Sequence, residues 1–314
     1  MNILVSEFMD EAAVAALAAR RADFAVEYLP GLVDDRAGLL ARVRDAAALI
    51  VRNRTRVDAE LLAAATSLKV VGRLGVGLDN IDMPACAKAG IAVYPATGAN
   101  ALAVAEYVIF ATMLLLRGAL SSSAAVAAGK WPRTALSNGR EVSGKTLGLI
   151  GFGGIGRLVA SRASALGMKV IAHDPALPAG APEWREHGVE RCELDALVAA
   201  SDAISLHVPL VESTRGLFDA ARIARMRKGA VLINTSRGGI IDEDKLAEAL
   251  REAKIGGAAL DVFDREPLPA GSALAECPNL LLTPHIAGVT LESNERVSSL
   301  IATLVGDHLD KGAN

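Results

Sequence analysis

The sequence predicts an α/β protein with two doubly wound parallel sheets. Short β-rich apolar runs alternate with alanine- and leucine-rich helical stretches from one end of the chain to the other, which is typical of parallel strands joined by crossover helices. The 314 residues suffice for two domains of roughly 150 residues each. A long helix and a loop near the middle of the chain separate two sets of strands, which also indicates two domains.

The first set contains five predicted strands. They cover residues 2–6, 24–28, 47–51, 69–73 and 91–93. A long helix over 100–117 follows, and then a loop over 121–139 that is rich in glycine and other breakers. The second set contains six predicted strands, enough for a complete doubly wound domain. They cover residues 146–150, 169–173, 203–206, 230–234, 257–260 and 280–282.

The last helix is predicted over 291–309, where apolar residues recur at helical spacing. The second sheet has no further strand for this helix to extend, so we expect it to return to the first set of strands. That would make the first domain discontinuous, with residues 1–98 and 285–314. The second domain, residues 99–284, would be inserted in it, and the two crossings would form a hinge over a cleft.

Composition excludes several classes of protein. The most apolar stretch, residues 104–116, is interrupted by Glu106 and is shorter than the about 20 residues of a membrane span. A net charge of −3 without a basic tract predicts no nucleic-acid partner. The start of the chain shows no signal-peptide pattern, so we expect a cytoplasmic protein. Cys86, Cys192 and Cys277 are widely spaced without a C-x-x-C pair, and we interpret them as ordinary thiols, not metal ligands.

A glycine motif follows the first strand of the second set. Gly151, Gly153 and Gly156 form the pattern G-x-G-x-x-G between a strand and a helix. The first glycine permits a tight turn, the second lets the backbone approach a pyrophosphate, and the third lets the helix pack closely on the strand. Ile155 and Arg157 would offer backbone N–H groups to the anion. This context predicts a dinucleotide-binding Rossmann domain, although a Rossmann-like methyltransferase would also carry such a turn.

Asp174 ends the next strand, 18 positions after Gly156. An acidic side chain at this place can accept hydrogen bonds from both ribose hydroxyls of NAD, and it would repel the 2′-phosphate of NADP. The sequence therefore favours NAD as the cofactor.

Three further groups follow successive strands of the second set: Arg237 after the fourth, Glu266 in the loop after the fifth, and His285 after the sixth. Ligands of open α/β sheets bind beyond the carboxyl ends of the strands, so we expect these side chains at the nicotinamide end of the dinucleotide. Oxidation of the hydroxyl group at C2 of a 2-hydroxy acid needs a base, and reduction of the 2-keto acid needs the matching acid. An imidazole near neutral pH can be both, which suits His285. Glu266 would favour the imidazolium and fix the ring. Arg237 would offer a charged fork to the substrate carboxylate.

The sequence resembles the D-isomer-specific 2-hydroxyacid dehydrogenase family over nearly its whole length, closest to the phosphoglycerate dehydrogenase-like branch. Besides the glycine motif, the matching stretches are residues 72–82, 100–106, 207–214, 234–238, 259–267 and 283–285. At 314 residues the chain is similar to a short form, and we expect no C-terminal regulatory domain. The resemblance implies a Rossmann cofactor domain inserted in a flavodoxin-like substrate-binding domain, and a homodimer that pairs through the cofactor domain.

The resemblance also implies roles for individual residues. It places an Arg/Glu/His catalytic set on Arg237, Glu266 and His285. The implied substrate-binding residues are Gly75, Val76, Gly77 and Asn100. The implied cofactor-binding residues are Val208, Pro209, Thr214, Thr235 and Asp261, the last of them at the carboxamide.

The identity of the substrate stays open. Candidates are glycerate or hydroxypyruvate, glyoxylate, 3-phosphoglycerate and sulfolactate. Arg52, Arg54 and Arg56 follow the third strand at alternate positions and would share one side of an extended segment. For Arg54 and Arg56 a solvated loop is the favoured interpretation, whereas for Arg52 a solvated loop and a site for a second substrate anion are equally open.

Two other functions compete with the dehydrogenase. An NAD(H)-sensing, co-repressor-like scaffold of the same family would keep the catalytic residues, and turnover of a 2-keto acid would distinguish the enzyme from it. A methyltransferase would leave Arg237, Glu266 and His285 without a purpose. The sequence therefore predicts an NAD-dependent oxidoreductase that moves a hydride between the nicotinamide and C2 of a small 2-hydroxy or 2-keto acid.

Overall fold

The computed structural model describes residues 1–120 and 122–311, and the chain forms two compact units. Unit 1 comprises Met1–Asn100 and Val289–Asn314, and unit 2 comprises Ala101–Gly288. His285 therefore belongs to unit 2, whereas the predicted boundary assigned it to the discontinuous domain. Ser121, which starts the predicted loop, and the last three residues of the predicted segment 285–314 lie outside the described residues.

Strands and helices alternate along most of the described chain. The first part contains β1 (Asn2–Val5), α1 (Glu11–Ala19), β2 (Ala25–Tyr28), α2 (Arg36–Arg42), β3 (Ala46–Val51), α3 (Ala59–Ala64), β4 (Val70–Arg73), α4 (Met83–Lys88) and β5 (Ala92–Pro95). The second part begins with α5 (Ala101–Arg117), α6 (Ser122–Ala127), β6 (Thr146–Ile150), α7 (Gly154–Ala165), β7 (Lys169–His173), α8 (Pro182–Glu186) and β8 (Glu190–Arg191). It continues with α9 (Leu194–Ala200), β9 (Ala203–Leu206), α10 (Ala220–Ala224), β10 (Val231–Asn234), α11 (Glu243–Arg251), β11 (Gly257–Leu260) and β12 (Leu280–Leu282), and α12 (Leu291–Lys311) ends the described chain.

Unit 1 contains a parallel sheet in the order β2-β1-β3-β4-β5, which is the flavodoxin-like order. β3 is buried along its whole length, as expected for a central parallel strand covered on both faces. The apolar face of α12 packs against α1 and β4, with Ile301 and Val305 fully buried. The last helix thus completes the core of unit 1.

Unit 2 contains a parallel sheet in the order β12-β11-β10-β9-β6-β7-β8. Counted from β6, this is the Rossmann order 3-2-1-4-5-6 with a further strand at one edge. The sequence predicted six strands and missed β8, which takes the third position of the Rossmann order. β8 has only two residues, both exposed, so it has neither the length nor the apolar character by which strands are recognised.

The segment after α5 also differs from the prediction. Residues 122–127 form the short helix α6 inside the predicted loop, because the run Ser-Ser-Ala-Ala-Val-Ala contains good helix formers and the breaker Gly129 comes only after it. Within residues 1–120 and 122–311, no helix has both the length and the apolar character that crossing a bilayer requires.

Candidate active site

The glycine motif forms the turn between β6 and α7. Gly151 has a φ of +95°, and a Cβ there would lie 2.3 Å from the carbonyl oxygen of His207. A Cβ on Gly156 would lie 2.4 Å from the carbonyl oxygen of Gly151. A Cβ on Gly153, by contrast, would meet no atom of the described chain within 4 Å. Packing therefore demands two of the glycines, whereas Gly153 leaves open space at the start of α7, where a pyrophosphate would bind.

Of the two backbone N–H groups predicted to bind the anion, that of Arg157 is already occupied in the structure. Ile155 lies in the first turn of α7, whose N–H groups have no intrahelical partner. The backbone N–H of Arg157, however, donates to the carbonyl of Gly153 at 3.0 Å, because it is far enough into the helix to reach a carbonyl four residues back. The Arg157 side chain instead donates through Nε to the carbonyl of Phe152 at 3.0 Å, which fixes the turn.

Asp174 follows β7 and contacts the glycine turn directly. Its Oδ2 accepts the backbone N–H of Phe152 at 2.8 Å, and its Oδ1 accepts that of Ala176 at 2.9 Å. An ionised carboxylate has about four acceptor positions, so both oxygens can still accept hydrogen bonds from ribose hydroxyls. The arrangement fits the adenosine ribose of NAD.

Other predicted cofactor residues follow neighbouring strands of the same sheet. Val208 and Pro209 come after β9, and Thr235 comes directly after β10. Within the described part of the chain, the buried Oγ1 of Thr235 has no hydrogen-bond partner, so a bound ligand can supply one. Thr214 differs, because its hydroxyl donates to the carbonyl of Pro209 at 2.6 Å and accepts the N–H of Val211 at 2.9 Å. Its visible role is to close its own loop.

Asp261 is buried after β11 and has protein partners on both oxygens. Oδ1 accepts from Thr283 Oγ1 at 2.6 Å and from the N–H of Ile286 at 2.8 Å, and Oδ2 accepts the N–H of Ala287 at 2.7 Å. Burial raises the pKa of Asp261, and these hydrogen bonds oppose the rise. One acceptor position on Oδ2 stays available to a carboxamide. Sequence reasoning missed that this carboxylate also fixes the loop that carries His285.

His285 and Glu266 form a hydrogen-bonded pair. Nδ1 of His285 lies 2.8 Å from Oε2 of Glu266, while Oε1 of Glu266 accepts the backbone N–H of Phe263 at 3.1 Å. Burial acts to raise the pKa of Glu266, but the hydrogen bond and charge of His285, the Phe263 N–H and the charge of Arg237 outweigh it, and the pKa is lowered. Glu266 is therefore ionised near neutral pH. Because a carboxylate only accepts, Nδ1 of His285 donates, and Nε2 is the nitrogen that can exchange a proton with a ligand.

The loop of Arg237 packs against the loop of Glu266. A Cβ on Gly238 would lie 1.9 Å from the carbonyl oxygen of Phe263, so the two loops touch through their backbones. Asn234, at the end of β10, donates its Nδ2 to the carbonyl of Arg237 at 2.8 Å. The three predicted catalytic residues thus lie on adjoining loops of unit 2, and the half-buried Arg237 acts electrostatically on Glu266.

The residues expected to bind the substrate carboxylate lie in unit 1. Gly75, Val76 and Gly77 form the loop after β4, and the side chain of Val76 is exposed. Among the described residues, the backbone N–H groups of Val76 and Gly77 have no hydrogen-bond acceptor. The buried Oδ1 of Asn100 likewise has none in the described chain. Free N–H groups in a glycine-containing loop can bind an anion.

The three arginines after β3 have different surroundings. Arg54 forms an ion pair with Asp34, and both side chains are exposed; the side chain of Arg56 is exposed as well. Arg52 is half-buried, donates Nη2 to Oδ1 of Asn294 at 2.8 Å, and lies over the Phe8 ring at 5.6 Å from its centroid. Burial acts to lower the pKa of Arg52 and the charge of Glu7 to raise it; the pKa is lowered.

Glu7 fixes the backbone of the same loop. Its carboxylate, buried after β1, accepts the N–H groups of Arg52, Thr55 and Arg54 at 2.8, 2.9 and 3.2 Å. Its acceptor positions are thus largely occupied by backbone groups. Of the five N–H donors of the Arg52 guanidinium, only Nη2 has an acceptor among the described residues.

Comparison with known proteins identifies the family of the chain. Residues 109–287 match the family model described as "D-isomer specific 2-hydroxyacid dehydrogenase, NAD binding domain". The chain is 57% identical over 298 residues to the (S)-sulfolactate dehydrogenase of Chromohalobacter salexigens, covering 95% of this chain and 94% of that protein. It is 39% identical over 302 residues to the D-3-phosphoglycerate dehydrogenase of Archaeoglobus fulgidus, with 96% of this chain covered but only 56% of the length of that relative.

A solved structure supports the same assignment. The glyoxylate reductase from Paecilomyes thermophila superimposes with a TM-score of 0.86 at 32% identity, covering 99% of this chain and 96% of that one. These relatives are dehydrogenases or reductases, which favours an enzyme over a scaffold. The chain belongs to the D-isomer specific 2-hydroxyacid dehydrogenase family, the NAD-dependent oxidoreductases that move a hydride between the nicotinamide and C2 of a small 2-hydroxy or 2-keto acid.

Proposed function

We propose that the chain interconverts sulfolactate and its 2-keto acid, with Arg237, Glu266 and His285 as the catalytic residues. The observation that carries the choice of substrate is the half-buried guanidinium of Arg52, whose contacts are an amide oxygen and an aromatic ring. A partly desolvated cation with unused donors favours a second anion on the substrate. The 57% identity to a protein named (S)-sulfolactate dehydrogenase points to a sulfonate.

The stereochemical label of that relative is consistent with a D-specific site. In sulfolactate the sulfonate-bearing carbon outranks the carboxyl carbon, because sulfur outranks oxygen in the priority rules. The spatial arrangement that is called R in D-lactate is therefore called S in sulfolactate. An (S)-sulfolactate dehydrogenase and a D-lactate dehydrogenase thus act on the same arrangement of groups at C2.

The proton is assigned to Nε2 of His285. A bound nicotinamide cofactor would supply the hydride chemistry at C2 in either direction. Nε2 of His285 takes the hydroxyl proton in oxidation and donates it to the carbonyl oxygen in reduction. The carboxylate of Glu266 holds Nδ1–H at 2.8 Å, which fixes the tautomer and stabilises the imidazolium. Arg237 orients the substrate carboxylate and the C2 oxygen through its planar fork.

We assign the remaining substrate contacts to hydrogen-bonding and charged groups of unit 1. The N–H groups of Val76 and Gly77, in the loop that begins at Gly75, and the side chain of Asn100 bind the C1 carboxylate. Arg52 binds the sulfonate. In this assignment Glu7 and Asn294 hold Arg52 in place, because Glu7 accepts its backbone N–H and Asn294 accepts its side-chain N–H.

A substrate panel tests the proposal. The purified protein is assayed with NAD⁺ and, in turn, (S)-sulfolactate, (R)-sulfolactate, D-lactate, D-glycerate and 3-phospho-D-glycerate. We expect the highest kcat/KM for (S)-sulfolactate and little turnover of its R isomer. A higher kcat/KM for D-lactate would show that no second anion is recognised, and one for 3-phosphoglycerate would show that the anion is a phosphate.

We also propose that the protein is a homodimer that pairs through α5. Phe110 and Met113 are large apolar residues on this helix with 55% and 45% of their surface exposed. Glu106 and Arg117 are exposed at either end of the same face, since these four positions follow helical spacing. Antiparallel pairing of two copies of α5 would bury the apolar pair and place each Glu106 near the Arg117 of the other protomer. Light scattering on the parent and on Phe110→Glu tests this, because the variant should be monomeric.

The cytoplasm is the proposed location. Cys86, Cys192 and Cys277 are unpaired, which is normal for a reducing compartment. Cell fractionation followed by immunoblotting would test the location.

A further inference from the structure

A chain of hydrogen bonds links α5 to the loop that carries His285. Oη of Tyr107 lies 2.6 Å from Oγ1 of Thr283, and Oγ1 of Thr283 lies 2.6 Å from Oδ1 of Asp261. The Asp261 carboxylate then accepts the backbone N–H groups on the C-terminal side of His285. All of these residues belong to unit 2.

The direction of each hydrogen bond follows from the chemistry of the groups. Asp261 as a carboxylate can only accept, so Thr283 must donate its single hydroxyl hydrogen to Oδ1. Tyr107 must then donate its own hydroxyl hydrogen to Oγ1 of Thr283. Donation from Tyr107 makes the Thr283 hydroxyl a better donor to Asp261, because consecutive hydrogen bonds polarise one another. The hydrogen bonds of Tyr107, Thr283 and Asp261 therefore reinforce one another.

This hydrogen-bond network surrounds a backbone conformation that is unfavourable by itself. His285 has a φ of +57°, in the left-handed region that costs a residue with a Cβ roughly 1 kcal/mol or more. The N–H groups of Ile286 and Ala287 point to Asp261, and the backbone N–H of Thr283 donates to the carbonyl of Leu260 at 3.0 Å. Contacts on both sides of His285 thus hold it in the conformation in which Nδ1 reaches Glu266.

We propose that Tyr107 is a positioning residue for His285 and acts through Thr283 and Asp261. This inference deepens the proposed function, because it takes His285 as the acid/base. Tyr107 itself donates to Thr283, and its effect on the reaction is to keep the imidazole against Glu266. Two charged groups, Glu266 and Asp261, act on His285, and the charge of Arg237 acts on Glu266.

Tyr107→Phe isolates the hydroxyl from the ring. Phenylalanine keeps the aromatic ring on α5 and removes only the donor to Thr283. We expect kcat for keto-acid reduction to fall about fivefold, which corresponds to the loss of one neutral hydrogen bond, while the KM for NADH changes less than twofold. Tyr94→Phe is the matched control, since it removes a tyrosine hydroxyl that contacts Nδ1 of His308 at 3.2 Å in unit 1.

NMR titration of the His285 imidazole separates positioning from a general structural effect. The chain has five histidines, and His285→Ala identifies the signal. Glu266→Gln should lower the midpoint of the titration, because the charge that favours the imidazolium is gone. Tyr107→Phe should lower it in the same direction, since a looser loop weakens the contact with Glu266. In the double variant that carries both Glu266→Gln and Tyr107→Phe, the second change should add no further shift of the midpoint. Thr283→Ser keeps the hydroxyl, so its midpoint should equal that of the parent.

Two results would contradict the positioning role of Tyr107. A Tyr107→Phe protein with the parent's midpoint and kcat would overturn it, as would additive shifts in the double variant. The titration needs no substrate, so it tests the positioning role separately from the activity. If the parent protein reduces no 2-keto acid with NADH, the proposed function fails while the titration still decides whether Tyr107 positions His285.

Discussion

Nδ1 of His285 lies 2.8 Å from Oε2 of Glu266, and this contact orients the imidazole for proton exchange at Nε2. Glu266→Gln keeps the shape of the side chain and removes its charge, so the imidazolium should become less favourable. Reduction of a keto acid needs protonated His285, and its alkaline limb should move to lower pH. Oxidation of a hydroxy acid needs neutral His285, and its acidic limb should also move to lower pH.

The measurement is the pH profile of kcat/KM in both directions. Glu248→Gln is the control, because Glu248 is also an exposed glutamate in an ion pair of unit 2, with Lys245. Its two profiles should equal those of the parent. Profiles of Glu266→Gln that coincide with the parent's would show that this pairing does not tune the reaction.

His285→Ala removes the proposed acid/base and should separate binding from chemistry. A positioned acid/base contributes roughly 10²–10⁴-fold to a rate, so kcat should fall by about that factor. NADH should still bind, because the glycine turn and Asp174 are untouched. Steady-state kinetics and a fluorescence titration with NADH measure the two effects. Retention of more than about a tenth of kcat would assign the proton to another group.

Asp174→Ala should narrow the preference for NADH over NADPH. The carboxylate repels a 2′-phosphate and accepts ribose hydroxyls, and both effects vanish in the variant. Because Asp174 also accepts the N–H of Phe152, the KM for NADH should rise as well. Asp174→Asn keeps an acceptor for that N–H and removes the charge, so it separates the two contributions. Equal kcat/KM for NADH and NADPH in the parent would refute the role of Asp174.

Arg52→Ala should raise the KM for sulfolactate by about tenfold or more, as expected for loss of a charge-assisted hydrogen bond. The KM for D-lactate should barely change, because lactate has no second anion. Arg54→Ala is the control: Arg54 already pairs with Asp34 on the surface, so its loss should leave both KM values unaltered. An equal rise of KM for both substrates in Arg52→Ala would place Arg52 at the C1 carboxylate instead.

Two glycine variants should distinguish folding from cofactor binding. A Cβ on Gly156 would meet the carbonyl oxygen of Gly151 at 2.4 Å, so Gly156→Ala should lower both Tm and the affinity for NADH. A Cβ on Gly153 would meet nothing within 4 Å of the described chain, so Gly153→Ala should keep the parent's Tm without ligand and lose NADH affinity. Thermal unfolding with and without NADH measures both properties. If Gly153→Ala bound NADH normally, the pyrophosphate would have to lie elsewhere.

Several features of the protein could be predicted because their causes are local in the sequence. The alternation of strands and helices follows from apolar periodicity, and most strand bounds differ from the structure by at most one or two residues. The glycine spacing of residues 151–156 is set by the turn it must make. β8 was missed because its two exposed residues pair only as the edge of a sheet that the remaining strands have already formed.

Other features depend on contacts between residues distant in the sequence. The sequence by itself determined that His285 and several carboxylates follow neighbouring strands of one sheet. The sequence also predicted Glu266 as the partner of the imidazole, but only the tertiary structure gave the contact itself, 2.8 Å from Nδ1 of His285, and showed that Asp261 holds the backbone around it. It likewise brought Tyr107 to Thr283 across 176 positions. Periodicity and propensity describe neighbours along one element, whereas a hydrogen bond between loops depends on how the elements pack, since a displacement of about 1 Å makes or breaks it.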